Sequence, residues 1–396
     1  MLPAKLQAEL LAALPAWLPQ QRWFGGKDAP IASFAVADRA DLGGGASLLL
    51  LDVGAARQPA ARYLLVPAGA CPDALGETGA RRRWFELLAT GGHLRGASGG
   101  FSFENFGAPL GGAASSRLLG VDQTNTSIFY SRAGGPGYLL KLFRRLQPGE
   151  NPDFEIPRAL AAHTGFRNLP AVFARAIYRG AGAVTTLAVL QGYIPNQGDG
   201  WSCVLAGLRA GAGESLWPEL TLLGRRTAEL HAALASISAN PAFTPEPITA
   251  ADAERWRLRA LAAAEAESLR PYVAALAPWR ARLAGGPTGL EACIGASKTR
   301  IHGDYHLGQV LKTESDFYIF DFEGEPARPL AERRQKRSPL QDVAGMLRSF
   351  SYAAHAASRP EWEAGARAAF LAGYGRAAAT PALNFFECEK AVYELS

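Results

Sequence analysis

The sequence predicts an α+β protein with two lobes and an N-terminal α/β cap domain. Short apolar runs separated by Gly- and Pro-rich turns are typical of antiparallel strands, and the pattern becomes helical from Ser215 onward. A length of 396 residues favours two or three structural units. Changes in pattern define a cap domain over 1–112, an N-lobe over 113–195 and a mainly helical C-lobe over 196–396.

The composition excludes a disordered protein and several classes of partner. Hydrophobic residues make up 48% of the chain and charged residues 19%, which is enough for a packed core. The net charge of +5 comes from scattered positive residues, so we expect no nucleic-acid partner and only a preference for small anionic substrates. Four cysteines far apart, with no CxxC pair, indicate reduced core residues in a cytoplasmic protein. No apolar run approaches the roughly 18 residues of a membrane span, so we expect no membrane partner.

The cap region shows regular structure but no recognisable chemistry. Leu6–Leu18 has apolar residues at helical spacing, Trp84–Leu88 predicts a short helix, and the segment 31–70 predicts antiparallel strands. We therefore interpret the first 110 residues or so as an accessory domain.

A pattern of three strands with two turns follows the Gly-rich segment 111–116. Its first turn is rich in small hydroxyl and amide side chains, which together with backbone N–H groups can donate hydrogen bonds to phosphate oxygens. A polar hairpin turn is more often only a turn, so that alternative stays open. The candidate phosphate-binding residues are Gln123, Asn125, Thr126 and Ser127.

Lys141 lies in the third of these strands, where an unpaired charge in an apolar environment would be costly. A place at the sheet edge is one explanation. The other is a pair with Glu155, on a helix that begins after Asn151 with Asp153 as its candidate cap. A strand lysine held by a helix glutamate is how protein-kinase-like folds aim an ammonium at nucleotide phosphates. The strand that ends near Gln191 then leads through a Gly/Pro connection into the helical region, which predicts a hinge between the lobes.

The C-lobe pattern is helical up to the central stretch. One helix carries His231, which we interpret as a structural histidine, and the amphipathic region Ala250–Leu283 is predicted to be split at Pro271.

The stretch from Arg300 to Glu323 concentrates the chemistry. Turn residues between two short apolar runs predict a hairpin, so Asp304 before it and Asp321 after it should converge. Gln309 follows Asp304 at the spacing of Asp and Asn in the kinase catalytic loop, and Asp321 takes the place of the kinase metal-binding Asp. In that chemistry the first acid accepts the proton of the attacking hydroxyl, while the amide and the later acid bind Mg²⁺. Ordinary turn aspartates are the alternative.

Two histidines flank Asp304. His302 and His306 have the i, i+4 spacing of some zinc sites, but the glutamate of an HExxH helix is missing, so zinc is not expected. We interpret His302 as a support of the loop backbone, and His306 as a residue that faces the substrate or orients Asp304.

These segments closely resemble bacterial maltokinases, which belong among the aminoglycoside-phosphotransferase-like kinases. The resemblance runs nearly end to end. The matching segments are Arg22–Lys27, Gln123–Ser127, Leu140–Arg145, Asn151–Glu155, Gly224–His231, His302–Leu311, Asp321–Pro326, Arg328–Arg334 and Ser338–Phe350.

The resemblance implies a bilobed protein-kinase-like fold and ATP-dependent phosphorylation of maltose at its anomeric hydroxyl. The product would be maltose 1-phosphate for α-glucan (glycogen-like) synthesis, and the activity is often paired with, or fused to, trehalose synthase. By position, Asp304 would be the catalytic base, Gln309 and Asp321 would hold Mg²⁺, and Lys141 would contact ATP phosphates with Glu155 as its partner.

Further roles follow from the same resemblance. Gln191 would lie at the adenine hinge, and Glu323, which replaces the Gly of general kinases, would add a carboxylate near the metal. Candidates for the sugar site are His306, Glu325 and Trp362, the last by stacking, although tryptophan is more often a core residue. Family members usually continue the last helix past the match, so this shorter helix could weaken either the sugar site or the fold of the last helix.

Two alternatives remain at this point. One is a kinase for another sugar or an aminoglycoside, for example an amino sugar, which an additional acidic patch would favour. The other is a non-catalytic partner of trehalose synthase. A binding role has no need of Asp304, Gln309, Asp321 and Lys141 together, which favours an enzyme.

Overall fold

The structure, a computed structural model, describes residues 4–27, 30–55, 58–107, 110–120, 124–180, 182–375 and 380–395. The chain forms two compact units. The first consists of Met1–Glu155 with Pro170–Ile194, and the second of Ile156–Leu169 with Pro195–Ser396. Among the described residues, no helix is both long and apolar enough to cross a membrane.

The first unit contains two sheets and their flanking helices. Its helices include α1 (Ala4–Trp17) and α2 (Thr78–Thr90), and α3 (Pro152–His163) begins in it. Its strands include β1 (Ile31–Gly43), β2 (Ala46–Ala55), β3 (Gln58–Leu65), β4 (Gly92–Arg95), β5 (Gly99–Asn105), β6 (Ala113–Leu119), β7 (Asn125–Arg132), β8 (Gly135–Phe143), β9 (Arg145–Leu146), β10 (Val172–Gly180) and β11 (Ala183–Gly192). The strands predicted over 31–70 and over 117–143 are confirmed.

Strand β2 shows why the cap region has an unbroken apolar run. It lies in an antiparallel sheet of order β1-β2-β3-β9. Leu49 and Leu51 pack in the same cluster as residues of α1, and Leu48 and Leu50 pack in the same cluster as Trp84 of α2. A strand that is buried on both faces carries apolar residues at every position, in contrast to the alternation of a half-exposed strand.

A seven-stranded antiparallel sheet of order β4-β5-β10-β11-β8-β7-β6 forms the rest of the first unit. The cap boundary predicted at residue 112 falls between β5 and β6, two strands of this one sheet. That boundary stays a prediction.

The second unit is mainly helical. Its helices include α4 (Gly200–Arg209), α5 (Trp217–Ser236), α6 (Ala250–Ala264), α7 (Val273–Gly285), α8 (Leu330–Arg333), α9 (Leu340–Ala356), α10 (Trp362–Tyr374) and α11 (Ala382–Leu395). Its strands include β12 (Gly198–Asp199), β13 (Glu246–Pro247), β14 (Ser297–Lys298), β15 (Val310–Lys312) and β16 (Phe317–Ile319). The split predicted at Pro271 is confirmed, because a 3₁₀ segment containing this proline separates α6 from α7.

Candidate active site

The hairpin predicted in the central stretch is present as β15 and β16. The two strands are antiparallel with Val310 opposite Ile319, and the N–H of Phe320 donates to the carbonyl of Gln309 at 3.1 Å. Gln309 ends the short 3₁₀ turn before the first strand, and Asp321 follows the second strand. The pairing therefore places these two predicted ligand residues at the same end of the hairpin.

The loop before the hairpin is held by its own histidine. Nδ1 of His302 accepts a hydrogen bond from the N–H of Asp304 at 3.3 Å, and Nε2 lies 2.9 Å from the carbonyl oxygen of Phe320. Because Nδ1 accepts a hydrogen bond and Nε2 faces a carbonyl oxygen, the imidazole ring of His302 carries its proton on Nε2. Gly303 between them has φ +86°, and a Cβ there would lie 3.4 Å from the Cα of Gly324. Glycine therefore allows the loop to pass close to the turn that follows β16.

A fully buried carboxylate on α9 fixes the same loop. Asp342 accepts hydrogen bonds from the backbone N–H of His302 at 2.8 Å and of Gly303 at 2.9 Å. Its Oδ2 also lies 3.1 Å from Nε2 of His231, whose Nδ1 lies 2.9 Å from the hydroxyl of Tyr374. Burial alone would raise the pKa of Asp342, but the hydrogen bonds hold that pKa below its ordinary value. The sequence prediction of a structural role for His231 is confirmed, whereas Asp342 was not predicted.

The side chain of Asp304, the predicted base, is held by a lysine of α11. Nζ of Lys390 lies 2.9 Å from Oδ1 of Asp304 and 3.0 Å from Oε1 of Glu325. Burial disfavours the charge of Lys390, but the two carboxylates outweigh this effect and raise its pKa. Arg328 binds the other oxygen of Glu325. A cavity of about 40 Å³ beside these groups has room for one or two water molecules.

The predicted metal ligands Asp321 and Glu323 lie close together. Oxygen atoms of the two carboxylates are within 4.8 Å of each other. Asp321 has φ +64°, a left-handed conformation that aspartate tolerates better than most residues and that often occurs at functional sites. The side chain of Arg333 is 7% exposed and donates to the carbonyl of Glu323 at 2.9 Å, which fixes the backbone of this turn. Two carboxylates and an amide oxygen from Gln309 are hard oxygen donors, which fit Mg²⁺.

In the first unit, Lys141 is buried and bound to a carboxylate. Its Nζ lies 3.1 Å from Oδ2 of Asp153 in the first turn of α3. The sequence predicts Asp153 as the helix cap, but the side chain of Asn151 has that role, because its Oδ1 accepts a hydrogen bond from the N–H of Asp153 at 2.9 Å. The partner predicted from the sequence, Glu155, lies two residues further along the helix and is also buried. Its pairing with Lys141 stays a prediction, and Asp153 is a partner that the sequence reasoning missed.

The predicted polar turn is partly a strand. Asn125, Thr126 and Ser127 lie in β7, where Ser127 is opposite Lys141 of β8, so the expectation of a turn at these three residues is wrong. Thr126 accepts a hydrogen bond from Nε of Arg144 at 2.7 Å. The remaining candidate of this group, Gln123, lies outside the described residues.

The other candidates have distinct surroundings. Gln191 is a buried residue of β11, opposite Leu139 of β8. Nδ1 of His306 accepts from the N–H of Gly308 at 3.0 Å, and burial lowers the pKa of this histidine although Asp304 partly opposes the shift.

Trp362 is a core residue. It is 4% exposed, stacks on Trp217 with ring centroids 5.7 Å apart, and donates from Nε1 to the carbonyl of Gly213 at 3.0 Å. The expectation that it stacks on a sugar does not fit this burial, and we leave Trp362 out of the proposed sugar site.

Two family models match the chain. Residues 117–386 match the model described as the phosphotransferase enzyme family, and residues 17–85 match the maltokinase N-terminal cap domain. The first match covers more than half of the chain.

Two curated relatives are glucosamine kinases. The one from Mycolicibacterium smegmatis is 33% identical over 258 residues, which are 61% of this chain and 60% of that protein. The one from Streptacidiphilus jiangxiensis is 29% identical over 247 residues, which are 59% of this chain and 53% of that protein. The chain therefore spans between half and two thirds of the length of these relatives.

Solved structures show the same fold. A glucosamine kinase in complex with glucosamine, ADP and inorganic phosphate is 24% identical, with a TM-score of 0.64 over 100% of this chain and 94% of that chain. A second crystal form of glucosamine kinase has 24% identity and a TM-score of 0.69, over 99% and 94% of the two chains. The predicted fold class, α+β with an N-terminal cap domain, is confirmed.

Proposed function

Because the chain belongs to the phosphotransferase enzyme family, we propose that it is an ATP-dependent kinase that phosphorylates maltose at its anomeric hydroxyl. The observation that carries the choice of maltose is the match of residues 17–85 to the maltokinase N-terminal cap domain. The product would be maltose 1-phosphate, a substrate for α-glucan synthesis. Trehalose synthase is the proposed partner in that route.

Asp304 is the proposed catalytic base. Its Oδ1 is bound to Lys390, whereas within the described part of the chain its Oδ2 accepts no hydrogen bond, so Oδ2 is the oxygen that takes the proton. The anomeric oxygen forms a bond to the γ-phosphorus while its proton passes to Oδ2. The bond between the γ-phosphorus and the oxygen that bridges to the β-phosphorus breaks, and ADP leaves with that electron pair.

The second unit also carries the proposed metal ligands. Asp321 and Glu323 would hold Mg²⁺ with their carboxylates, and Gln309 with its amide oxygen. When bound, Mg²⁺ neutralises charge on the β- and γ-phosphate oxygens of ATP. The left-handed conformation of Asp321 and the contact of Arg333 with the carbonyl of Glu323 define the backbone of the turn that carries the two carboxylates.

The first unit supplies the proposed nucleotide-binding groups. The ammonium of Lys141, kept in place by Asp153, would contact the phosphates, with Glu155 as a further acidic neighbour. Polar side chains of β7 at 125–127 and Gln123 are proposed to support the phosphates, and Gln191 of β11 to lie beside the adenine.

One assay decides between this proposal and its alternatives. The purified chain is incubated with ATP, Mg²⁺ and one acceptor at a time (maltose, glucose, glucosamine or kanamycin), and ADP is measured while the product is identified by mass and ³¹P NMR. We expect maltose to give the highest kcat/KM and an anomeric phosphate. Phosphate on another hydroxyl, or no turnover with any of the four acceptors, would contradict the proposal.

Glucosamine is the second candidate acceptor. It is favoured by the two curated relatives described above, which are glucosamine kinases. In the same assay, a kcat/KM for glucosamine above that for maltose would establish this candidate instead.

A further inference from the structure

Lys390 connects the last described helix directly to the proposed catalytic base. Its ammonium lies 2.9 Å from Asp304 and 3.0 Å from Glu325, and the three side chains are 13%, 18% and 8% exposed. The charges of a solvent-exposed ion pair interact weakly, whereas mostly buried charges interact more strongly because the effective dielectric constant around them is lower. The ammonium therefore has a strong electrostatic effect on whatever approaches Asp304.

The helix that carries Lys390 is well anchored. Phe385 and Phe386 are fully buried on one side of α11. Glu389, the neighbour of Lys390, accepts hydrogen bonds from Arg259 at 2.5 Å and from Gln341 at 3.1 Å. Val392, two residues after Lys390, is buried as well. Because the helix is anchored before and after Lys390, the ammonium has little freedom to leave the two carboxylates.

The charges around the base are balanced without an acceptor. Asp304 and Glu325 contribute two negative charges, and Lys390 and Arg328 contribute two positive charges bonded to them. An acceptor that brings its own ammonium would find both oxygens of Glu325 and one oxygen of Asp304 already bound to cations. The repulsion by Lys390 and Arg328 would offset the attraction by the two carboxylates, so the acceptor's ammonium would gain no net attraction from this group of four charges.

We propose that Lys390 determines acceptor specificity, because its ammonium fills the position between Asp304 and Glu325 that an amino sugar could otherwise occupy, and so selects a neutral sugar. This inference rests on the proposed sugar-kinase function and deepens it. In this proposal the charge of Lys390 acts directly on the acceptor and takes no part in the chemical step, so Lys390 is a specificity-determining residue and not a catalytic one.

The size of the effect follows from Coulomb's law. Two ammonium groups about 6 Å apart, at an effective dielectric constant of about 20, repel each other enough to change an affinity by on the order of 100-fold. Removal of the lysine charge also leaves the site with one net negative charge, which attracts an ammonium. When the charge of Lys390 is removed, the affinity for a cationic sugar should therefore rise at least about tenfold relative to the affinity for its neutral analogue.

The test compares glucosamine with glucose, which differ by one substituent, as inhibitors of maltose phosphorylation. In Lys390→Met the ratio of KI for glucosamine to KI for glucose should fall at least about tenfold. Lys390→Arg keeps the charge and should keep the wild-type ratio. Lys312→Met is the matched control, because it removes a different ion pair of the same unit, with Glu219 at 2.6 Å, and should also keep the ratio.

If Lys390 had a purely structural role, its replacement would weaken the binding of both sugars alike. An unchanged ratio of the two KI values in Lys390→Met therefore overturns the inference, while the sugar-kinase proposal stands. A wild-type protein that phosphorylates glucosamine better than maltose overturns it too. A wild-type protein that phosphorylates no sugar overturns both proposals.

A second measurement needs no variant and so does not depend on how Lys390→Met folds. In the wild-type protein, glucosamine should inhibit less strongly than glucose at low pH. The two KI values should approach each other as the pH rises and the amine of the sugar loses its proton. A ratio that does not change with pH, or stronger inhibition by glucosamine at low pH, contradicts the inference.

Discussion

Replacement of Asp342 by Asn should loosen the loop that carries Asp304, the proposed base, at its attachment to α9. The carboxylate is fully buried and accepts hydrogen bonds from the backbone N–H groups of His302 and Gly303, while its Oδ2 also contacts His231. Asparagine has nearly the same volume, so the substitution makes no cavity. It replaces one acceptor oxygen by an NH₂ group that cannot accept a hydrogen bond.

The magnitude follows from the contacts that Asp342→Asn loses. If the amide oxygen takes the place of Oδ2, the N–H of Gly303 faces the new NH₂ group and stays unsatisfied, which costs about 1–3 kcal/mol. The hydrogen bonds that remain no longer involve a charged acceptor, which removes roughly another 1 kcal/mol. The sum is about 3 kcal/mol. For a cooperative unit of about 150–250 residues, this corresponds to a decrease in Tm of roughly 6–12 °C.

Differential scanning calorimetry of the full chain measures this decrease, and the phosphorylation assay measures its effect on the loop. We expect kcat to fall about 100-fold, since small displacements of catalytic groups have effects of this order. Asp199→Asn is the matched control. The side chain of Asp199 caps α4 by accepting a hydrogen bond from the N–H of Ser202. Asn is as good as Asp at this capping position, so the Tm of Asp199→Asn should equal that of the wild type. If Asp342→Asn melts within about 2 °C of this control and keeps its kcat, the argument is wrong.

Three further predictions concern single side chains of the proposed site. Asp304→Asn should lower kcat by about 10²–10⁴-fold while calorimetric titration still shows ATP binding, and near-normal turnover would remove its role as base. Lys141→Met should raise the KM for ATP and lower kcat; an unchanged KM and kcat would contradict its contact with phosphates. Wild-type stability should decrease from pH 7 to pH 5, because burial lowers the folded-state pKa of His306 and the unfolded chain binds the proton more readily. In urea denaturation at pH 7 and pH 5, the free energy of unfolding of His306→Asn should change less between the two pH values than that of the wild type. An equal change in both proteins would refute the contribution of His306.

The local parts of the site could be predicted from the sequence. The hairpin of β15 and β16 follows from two short apolar runs with turn residues between them, and chain connectivity alone then brings Gln309 and Asp321 together. The split of the long helical region at Pro271 rests on the same kind of local signal, since proline cannot donate a helical hydrogen bond.

Contacts between distant segments could not be predicted in this way. Asp342 is 40 residues from His302, and Lys390 is 86 residues from Asp304, so both contacts depend on how the helices pack. One signal for Asp342 was available: a carboxylate next to the apolar Val343 and Ala344 in a helix must find hydrogen-bond partners if it is buried.

The errors have physical causes as well. The small polar residues at 125–127 predict a turn, but Thr126 and the Ile128 that follows them favour a strand, and the strand β7 includes all four residues. Trp362 is a candidate for the sugar site from the sequence alone, because tryptophan stacks well on sugars. In the structure its ring packs on Trp217, and its N–H is bonded to a backbone carbonyl.

The basic segment after the hairpin bears on the acceptor as well. Its arginines could indicate a site for an anionic sugar, but their guanidinium groups are bonded within the protein. Arg328 binds Glu325 and lies 2.6 Å from Glu332, and Arg337 lies 2.8 Å from the same Glu332 oxygen. Arginines that are already paired with carboxylates attract an incoming anion weakly. In the same way, Asp304 and Glu325, which are paired with Lys390, attract an incoming cation weakly. The two effects together favour an uncharged acceptor, and maltose is uncharged.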